Sequence, residues 1–78
     1  MKVDIISAER IIYSDEVDVI IVPGVEGYLG ILPHHAPMMT AIKPGDITIR
    51  KDGTETVLSV SGGFIEVMDN KVTVLADE

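Results

Sequence analysis

The sequence predicts an all-β fold, a small antiparallel β-sandwich of about nine to ten short strands with no helix longer than one turn. Three observations predict it. Apolar and polar residues alternate with the period of two that a half-buried strand requires, as in Val3-Asp4-Ile5 and Ile47-Thr48-Ile49. The apolar residues are mostly Val and Ile, and Tyr13, Tyr28 and Phe64 are the only aromatics, which suits thin aliphatic packing between sheets. Turn-forming pairs recur at short intervals: Pro23-Gly24, Pro44-Gly45, Asp52-Gly53, Gly62-Gly63 and Asp69-Asn70. The expected architecture is two antiparallel sheets face to face, about 10 Å apart, with alternate Val, Ile and Leu side chains between them.

The first strand is expected over residues 2–7, where Val3 and Ile5 alternate with Lys2 and Asp4. Ser7-Ala8-Glu9-Arg10 interrupts it, and a second short strand begins at Ile11-Ile12-Tyr13. A helix across residues 3–13 is opposed by Val3, Ile5, Ile6, Ile11 and Ile12, whose β-branched side chains lose freedom in a helix. Ser14-Asp15 marks a turn. Residues 16–22 alternate again, with Val17, Val19 and Ile21 on one side and Glu16 and Asp18 on the other. Ile20 and Val22 fall on the nominally polar side, so the far end of this strand is expected to be covered on both faces.

Residues 23–37, PGVEGYLGILPHHAP, are the stretch around which the rest is arranged. Gly24, Gly27 and Gly30 predict positive φ or very close backbone contact. The segment fits a tight loop, a strand over residues 28–32 and another tight corner. Loops held on a rigid scaffold commonly carry binding function. A strand over residues 36–42 follows, with adjacent Met38 and Met39 facing opposite ways, one for the core and one for an interface.

Lys43-Pro44-Gly45-Asp46 fits a type II turn, with Pro second and Gly third. In residues 46–51, Ile47 and Ile49 share one face and Thr48 and Arg50 the other. Asp52-Gly53 favours a type I′ hairpin into a strand over residues 54–61. Ser61-Gly62-Gly63 gives a sharp corner into residues 63–68, and Asp69-Asn70 a two-residue turn into residues 71–76, with Val72 and Val74 inward.

Composition narrows the function classes. A chain of 78 residues makes one small domain, which buries only about 60% of its unfolded surface, so a permanent partner would add stability. The formal charge of −7, from 13 acidic and 6 basic residues, opposes binding to phosphate backbones and excludes nucleic acid as a partner. There is no cysteine, hence no disulfide or thiol chemistry. No basic-then-apolar leader and no apolar run near about 18 residues is present, so a soluble chain is expected.

The residues that could carry chemistry do not converge in sequence. His34 and His35 are adjacent and would point in opposite directions from an extended segment, with only Glu26 nearby. A metal site needs three or four convergent ligands, so none is expected; one histidine should bond backbone at the corner and the other should be solvated. Asp4, Asp15, Glu16, Asp18, Asp46 and Glu55 fall on polar faces or in turns, where solvated charge is the ordinary state. No acid–base pair follows from their spacing. The glycine pairs lack the Lys-Ser/Thr ending and the following helix of a phosphate cradle. Ser7, Ser59 and Ser61 have no base placed beside them by sequence. No catalytic residue and no cofactor is expected.

EGYLGILPHHAP, residues 26–37, is similar to the E-G-x-L-G-I-x-P-x-H-A-P signature of the epsilon subunit of the F-type ATP synthase. The flanks agree: Ser7-Ala8-Glu9, TAIKPG at 40–45, SGGFIEV at 61–67 and VTVLADE at 72–78. The matches run in the family's order along nearly the whole chain and concern the subunit's N-terminal domain. The family's C-terminal helical hairpin has no counterpart within residues 1–78, which are expected to form a single domain. The resemblance implies a ten-stranded β-sandwich in a non-catalytic rotor subunit. That subunit joins the gamma subunit in the central stalk and rests on the membrane ring of c subunits, coupling proton flow to ATP synthesis. It implies a peripheral place on the cytoplasmic face of a bacterial inner membrane, with the chloroplast thylakoid as the other source. Position by position, Ser7, His35 and Thr40 match the face expected against gamma, and Val25, Glu26, Gly27 and Tyr28 match the loop expected over the c-ring. Two residues depart from the pattern. His34 stands where Gly or Asn is commoner, and Tyr28 stands where an acidic residue is common, which leaves Glu26 as the loop's charge. The family assigns ATP binding and inhibition to its C-terminal helices. Residues 1–78 lack amphipathic helical periodicity, so they are expected neither to bind ATP tightly nor to restrain hydrolysis.

The alternative from a different class is a small β-sandwich enzyme or ligand-binding protein, metal-dependent through His35 and Glu26. A third reading is a sandwich that binds another protein drawn to acidic surfaces.

Overall fold

Side chains that alternate along a strand need two environments, and here the inward set forms one core. The computed structural model describes residues 1–78 and contains nine strands and no helix. They are β1 (Lys2–Ile6), β2 (Ile11–Glu16), β3 (Val19–Gly24), β4 (Gly27–Ile31), β5 (Met38–Ile42), β6 (Gly45–Lys51), β7 (Thr54–Val60), β8 (Gly62–Met68) and β9 (Lys71–Asp77). One leaf runs β2-β1-β9-β8-β5 and the other β4-β3-β6-β7. A single β3–β5 bridge, Gly24 opposite Ile42, joins them. Every pair is antiparallel except β1 and β9, the first and last strands, which run parallel.

The core is a cluster of 15 buried side chains, all Val, Ile or Ala. One leaf supplies Val3, Ile5, Ile42, Ile65, Val67, Val72, Val74 and Ala76; the other supplies Ile20, Val22, Ile31, Ile47, Ile49 and Val60. Val17 closes the end between β2 and β3. No polar or charged side chain is buried.

Several local expectations change. Ser14 and Asp15 are not a turn; β2 continues through them because each finds a partner across the strands. The Ser14 hydroxyl donates to Asp4 Oδ1 at 2.6 Å, and Lys51 Nζ donates to Asp15 Oδ2 at 2.8 Å. The chain turns instead at Val17-Asp18, where the Asp18 carboxylate accepts the Asp52 N–H at 2.9 Å. Restarting at Val19 resets the parity, so Ile20 and Val22 fill the core while Val19 and Ile21 are half-buried on the outer side.

The glycines also sort differently. Gly62 and Gly63 open β8 with φ of 136° and 140°, and the corner is left to Ser61. A Cβ on Gly63 would overlap the Leu75 carbonyl of the neighbouring strand. Gly45 lies outside the positive-φ set, so the Lys43–Asp46 segment is not the expected type II turn; a Cβ there would come within 3.1 Å of Pro23. Asp52-Gly53 (49° and 76°) and Asp69-Asn70 (51° and 59°) have the two positive φ angles of type I′ turns.

Two tests follow. Gly63→Ala meets rigid backbone at a φ that L-residues avoid, and should destabilise by more than about 3 kcal/mol in urea unfolding. Gly30→Ala, with nothing within 4 Å of its Cβ, should stay within about 0.5 kcal/mol of the parent.

The pH dependence is set at the strand edges. Ser14's hydroxyl, then Lys71, hold the Asp4 carboxyl below its ordinary value, and Lys51, then the Glu16 N–H, do the same for Asp15. Asp15 in turn raises Lys51. Depressed carboxyls stabilise the fold above their unfolded pKa and lose that contribution as pH falls below about 4. The raised lysine contributes below its unfolded pKa and loses it as pH climbs above about 10.4. Asp4→Asn should flatten the acid limb of a melting-temperature profile, and Asp15→Asn should flatten both limbs.

Candidate partner-binding surface

The β3–β4 hairpin reverses over Val25-Glu26, between the paired residues Gly24 and Gly27. A Cβ on Gly24 would sit 2.8 Å from the Gly27 carbonyl oxygen, and Gly27 has φ of 130°. These two glycines let the strands close so tightly that Val25 and Glu26 stand out as a tip, and Gly30, expected to be constrained like them, is in open space. Tyr28 pairs with Pro23 across the hairpin, and its hydroxyl lies 3.6 Å from the position a Gly45 Cβ would take. Paired residues share a face, so the tyrosine extends across the buried Pro23 towards the start of β6.

Beside the tip is a cleft. Because β3 and β5 touch at one bridge only, the leaves part beyond it. Gly24, Val25, Glu26, Gly27, Tyr28 and Leu29 on one wall face Met38 and Thr40 on the other, around a volume of about 210 Å³. Thr40 is opposite Ile65 and so points to the inner side of its leaf, at the open edge. The loop expected over the c-ring and one residue of the set expected against gamma therefore line the same cleft.

His35 lies at the other end of β5, and Ser7 just past the end of β1. His34 takes φ of 64°, a left-handed conformation that Gly and Asn adopt most readily, and its N–H donates to Asn70 Oδ1 at 2.8 Å. His35 is half-buried, with Nδ1 2.7 Å from the Ala36 carbonyl oxygen, and its N–H donates to the Leu32 carbonyl at 3.3 Å. One histidine bonds backbone and the other is exposed, as the sequence suggests. Ser7 closes its own turn, accepting the N–H groups of Glu9 and Arg10 at 3.3 Å. It stands three strands from Thr40, about 14 Å at ordinary strand spacing. Ser7, His35 and Thr40 do not converge on one point.

Sequence reasoning missed a surface between them. On the outer face of the first leaf, register aligns Ala41, Phe64, Leu75, Ile6 and Ile11 in one row across five strands, with Met39 diagonal to Phe64. Met39 is 69% exposed, Ile11 68%, Phe64 56% and Leu75 54%. Ile6, Ser7, Phe64 and Leu75 line a shallow groove along the middle of the row. The available signal was the apolar doublets Ile5-Ile6, Phe64-Ile65 and Val74-Leu75, which must put one apolar side chain on each face of a strand.

No three His, Asp or Glu side chains come together as a metal site. The exposed Glu26 forms no ion pair, and the only cation without an ion-pair partner is Lys43. What the surface offers is apolar contact and backbone rigidity.

Known proteins resemble the chain over its full length. The chain is 52% identical over 77 residues to an ATP synthase epsilon chain of Dehalococcoides mccartyi, and 53% to that of Chloroflexus aggregans. In each case 99% of this chain and 55% of the relative are covered, so the chain spans about half the length of the curated relatives it matches. Among solved structures, a chain of the mitochondrial ATP synthase of Euglena gracilis superposes with a TM-score of 0.91 at 24% identity, covering 97% of this chain and 49% of its own. One from the central stalk and c-ring of the Tetrahymena thermophila enzyme gives 0.86 at 21%, covering 100% and 63%. These two establish the fold. The model of the ATP synthase delta/epsilon chain β-sandwich domain matches residues 1–78, and the chain belongs to that family.

Proposed function

We propose that the chain is a non-catalytic component of the central stalk of a proton-translocating ATP synthase. It holds the gamma subunit with the first leaf and the β5 edge, and presents the β3–β4 tip to the c-ring. The observation that carries this reading is the apolar row in which Phe64, Leu75 and Ile11, with Met39 beside them, are exposed around the half-buried Ile6. A contiguous apolar row of that kind, running across neighbouring strands, marks a protein-binding face. Ser7 borders the row, Thr40 lies in the middle of the adjoining β5, and His35 lies in the corner three residues before that strand. Val25, Glu26, Gly27 and Tyr28 form one exposed tip, as a contact with a second partner requires. Attachment to the membrane is indirect, through the complex, on the cytoplasmic face in a bacterium.

The test is binding to purified gamma, followed by reconstitution into an enzyme depleted of its own epsilon chain. Phe64→Glu places a charge in the row without touching the core and should weaken gamma binding by about 2 kcal/mol or more. His35→Ala should weaken it by about 1–2 kcal/mol. Restored proton pumping by the parent chain, lost with Phe64→Glu, is the expected result. Unchanged gamma affinity in Phe64→Glu, with the fold intact by circular dichroism, refutes the assignment of this face.

A further inference from the structure

Building on the ring-facing reading of the β3–β4 tip, we propose that Tyr28 and Val25 form a rigid apolar pad. The pad meets the ring's loops by contact area, with Glu26 as a minor rim charge. The two side chains are 65% and 54% exposed and stand on either side of the Gly24–Gly27 closure. Tyr28 is already ordered. It extends over Pro23, which is fully buried, and its hydroxyl reaches the space left open by the missing side chain of Gly45. A tyrosine restrained in this way loses little freedom on binding, and its ring supplies a flat apolar face.

The charges at the tip point the same way. Glu26 has no ion-pair partner, and Lys43 is anchored at the base of the same hairpin through its N–H to the Pro23 carbonyl at 2.9 Å. Among residues 24–29 Glu26 is the only charged side chain. A single exposed surface carboxylate contributes little in salt. The partner that fits is a protein loop offering an apolar surface of matching shape.

The experiment compares the chain's affinity for gamma alone with that for a gamma–c-ring complex; the ratio isolates the tip. The parent ratio should change less than about threefold between about 50 and about 300 mM salt. Tyr28→Ala and Val25→Ser should each lower it about tenfold, while Tyr28→Phe and Glu26→Gln stay within about threefold of the parent. Affinity for gamma alone should not move in any of these variants. A parent ratio near one removes the ring-facing reading and the pad with it. A large ratio that falls steeply with salt, or that Glu26→Gln abolishes and Tyr28→Ala does not, overturns the pad alone. The pad is also overturned if the free chain self-associates and Tyr28→Ala abolishes only that, since its occupant is then a second copy.

Discussion

The fold depends on an all-aliphatic layer between two small leaves. Each strand contributes a few Val or Ile side chains, and together they make one continuous cluster of 15 residues with no polar atom in need of a partner. β-Branched side chains have few rotamers to lose and fill the pleated surface evenly. The same arrangement fixes register. Slipping β1, β6 or β9 by one residue would turn its inward Ile or Val to water and its Asp, Thr or Lys into the core. Within each leaf, neighbouring strands close tightly at a few places only because backbone meets backbone without side chains, chiefly Gly63 of β8 against Leu75 of β9 and Gly24 of β3 against Gly27 of β4.

With the interior closed to charge, ionic groups are confined to edges and corners. Five of the six basic side chains are paired there, and the pairs connect segments distant in sequence: Asp15 with Lys51, Arg10 with Glu78, Asp4 with Lys71. Such exposed pairs add little stability. They influence where strands end. Asp15 and Ser14 stay in β2 because Lys51 and Asp4 receive them, and the turn moves to Asp18, whose carboxylate takes the Asp52 N–H.

A five-stranded leaf has two faces, and residues 1–78 cover one of them. The inner face receives the second leaf. The outer face retains the row through Phe64 and Leu75, and the far end of the second leaf retains Tyr28 and Val25. These surfaces lie on different parts of the domain, which suits a component seated between two partners. The gamma-facing expectation for Ser7, His35 and Thr40 spreads over a strand end, a corner and an open edge, with the apolar row lying beside them.

Alternation, β-branched composition and paired turn residues are local properties, and they specified an all-β domain, nine strands, the inward Val72 and Val74, and the two type I′ turns at Asp52-Gly53 and Asp69-Asn70. A tight loop before the strand at Tyr28 was legible as well, and the structure narrows it to the turn at Val25-Glu26. Other features needed the assembled fold. Ser14-Asp15 has turn chemistry by itself and loses it to partners 10 and 36 residues away. Gly45 suggests a φ requirement, yet the constraint is the nearness of Pro23. The outer apolar row exists only once β2, β1, β9, β8 and β5 are set side by side in register, since its members are scattered from Ile6 to Leu75. Periodicity tells which side of a strand is apolar; only the packing of leaf on leaf decides which apolar side is left facing water.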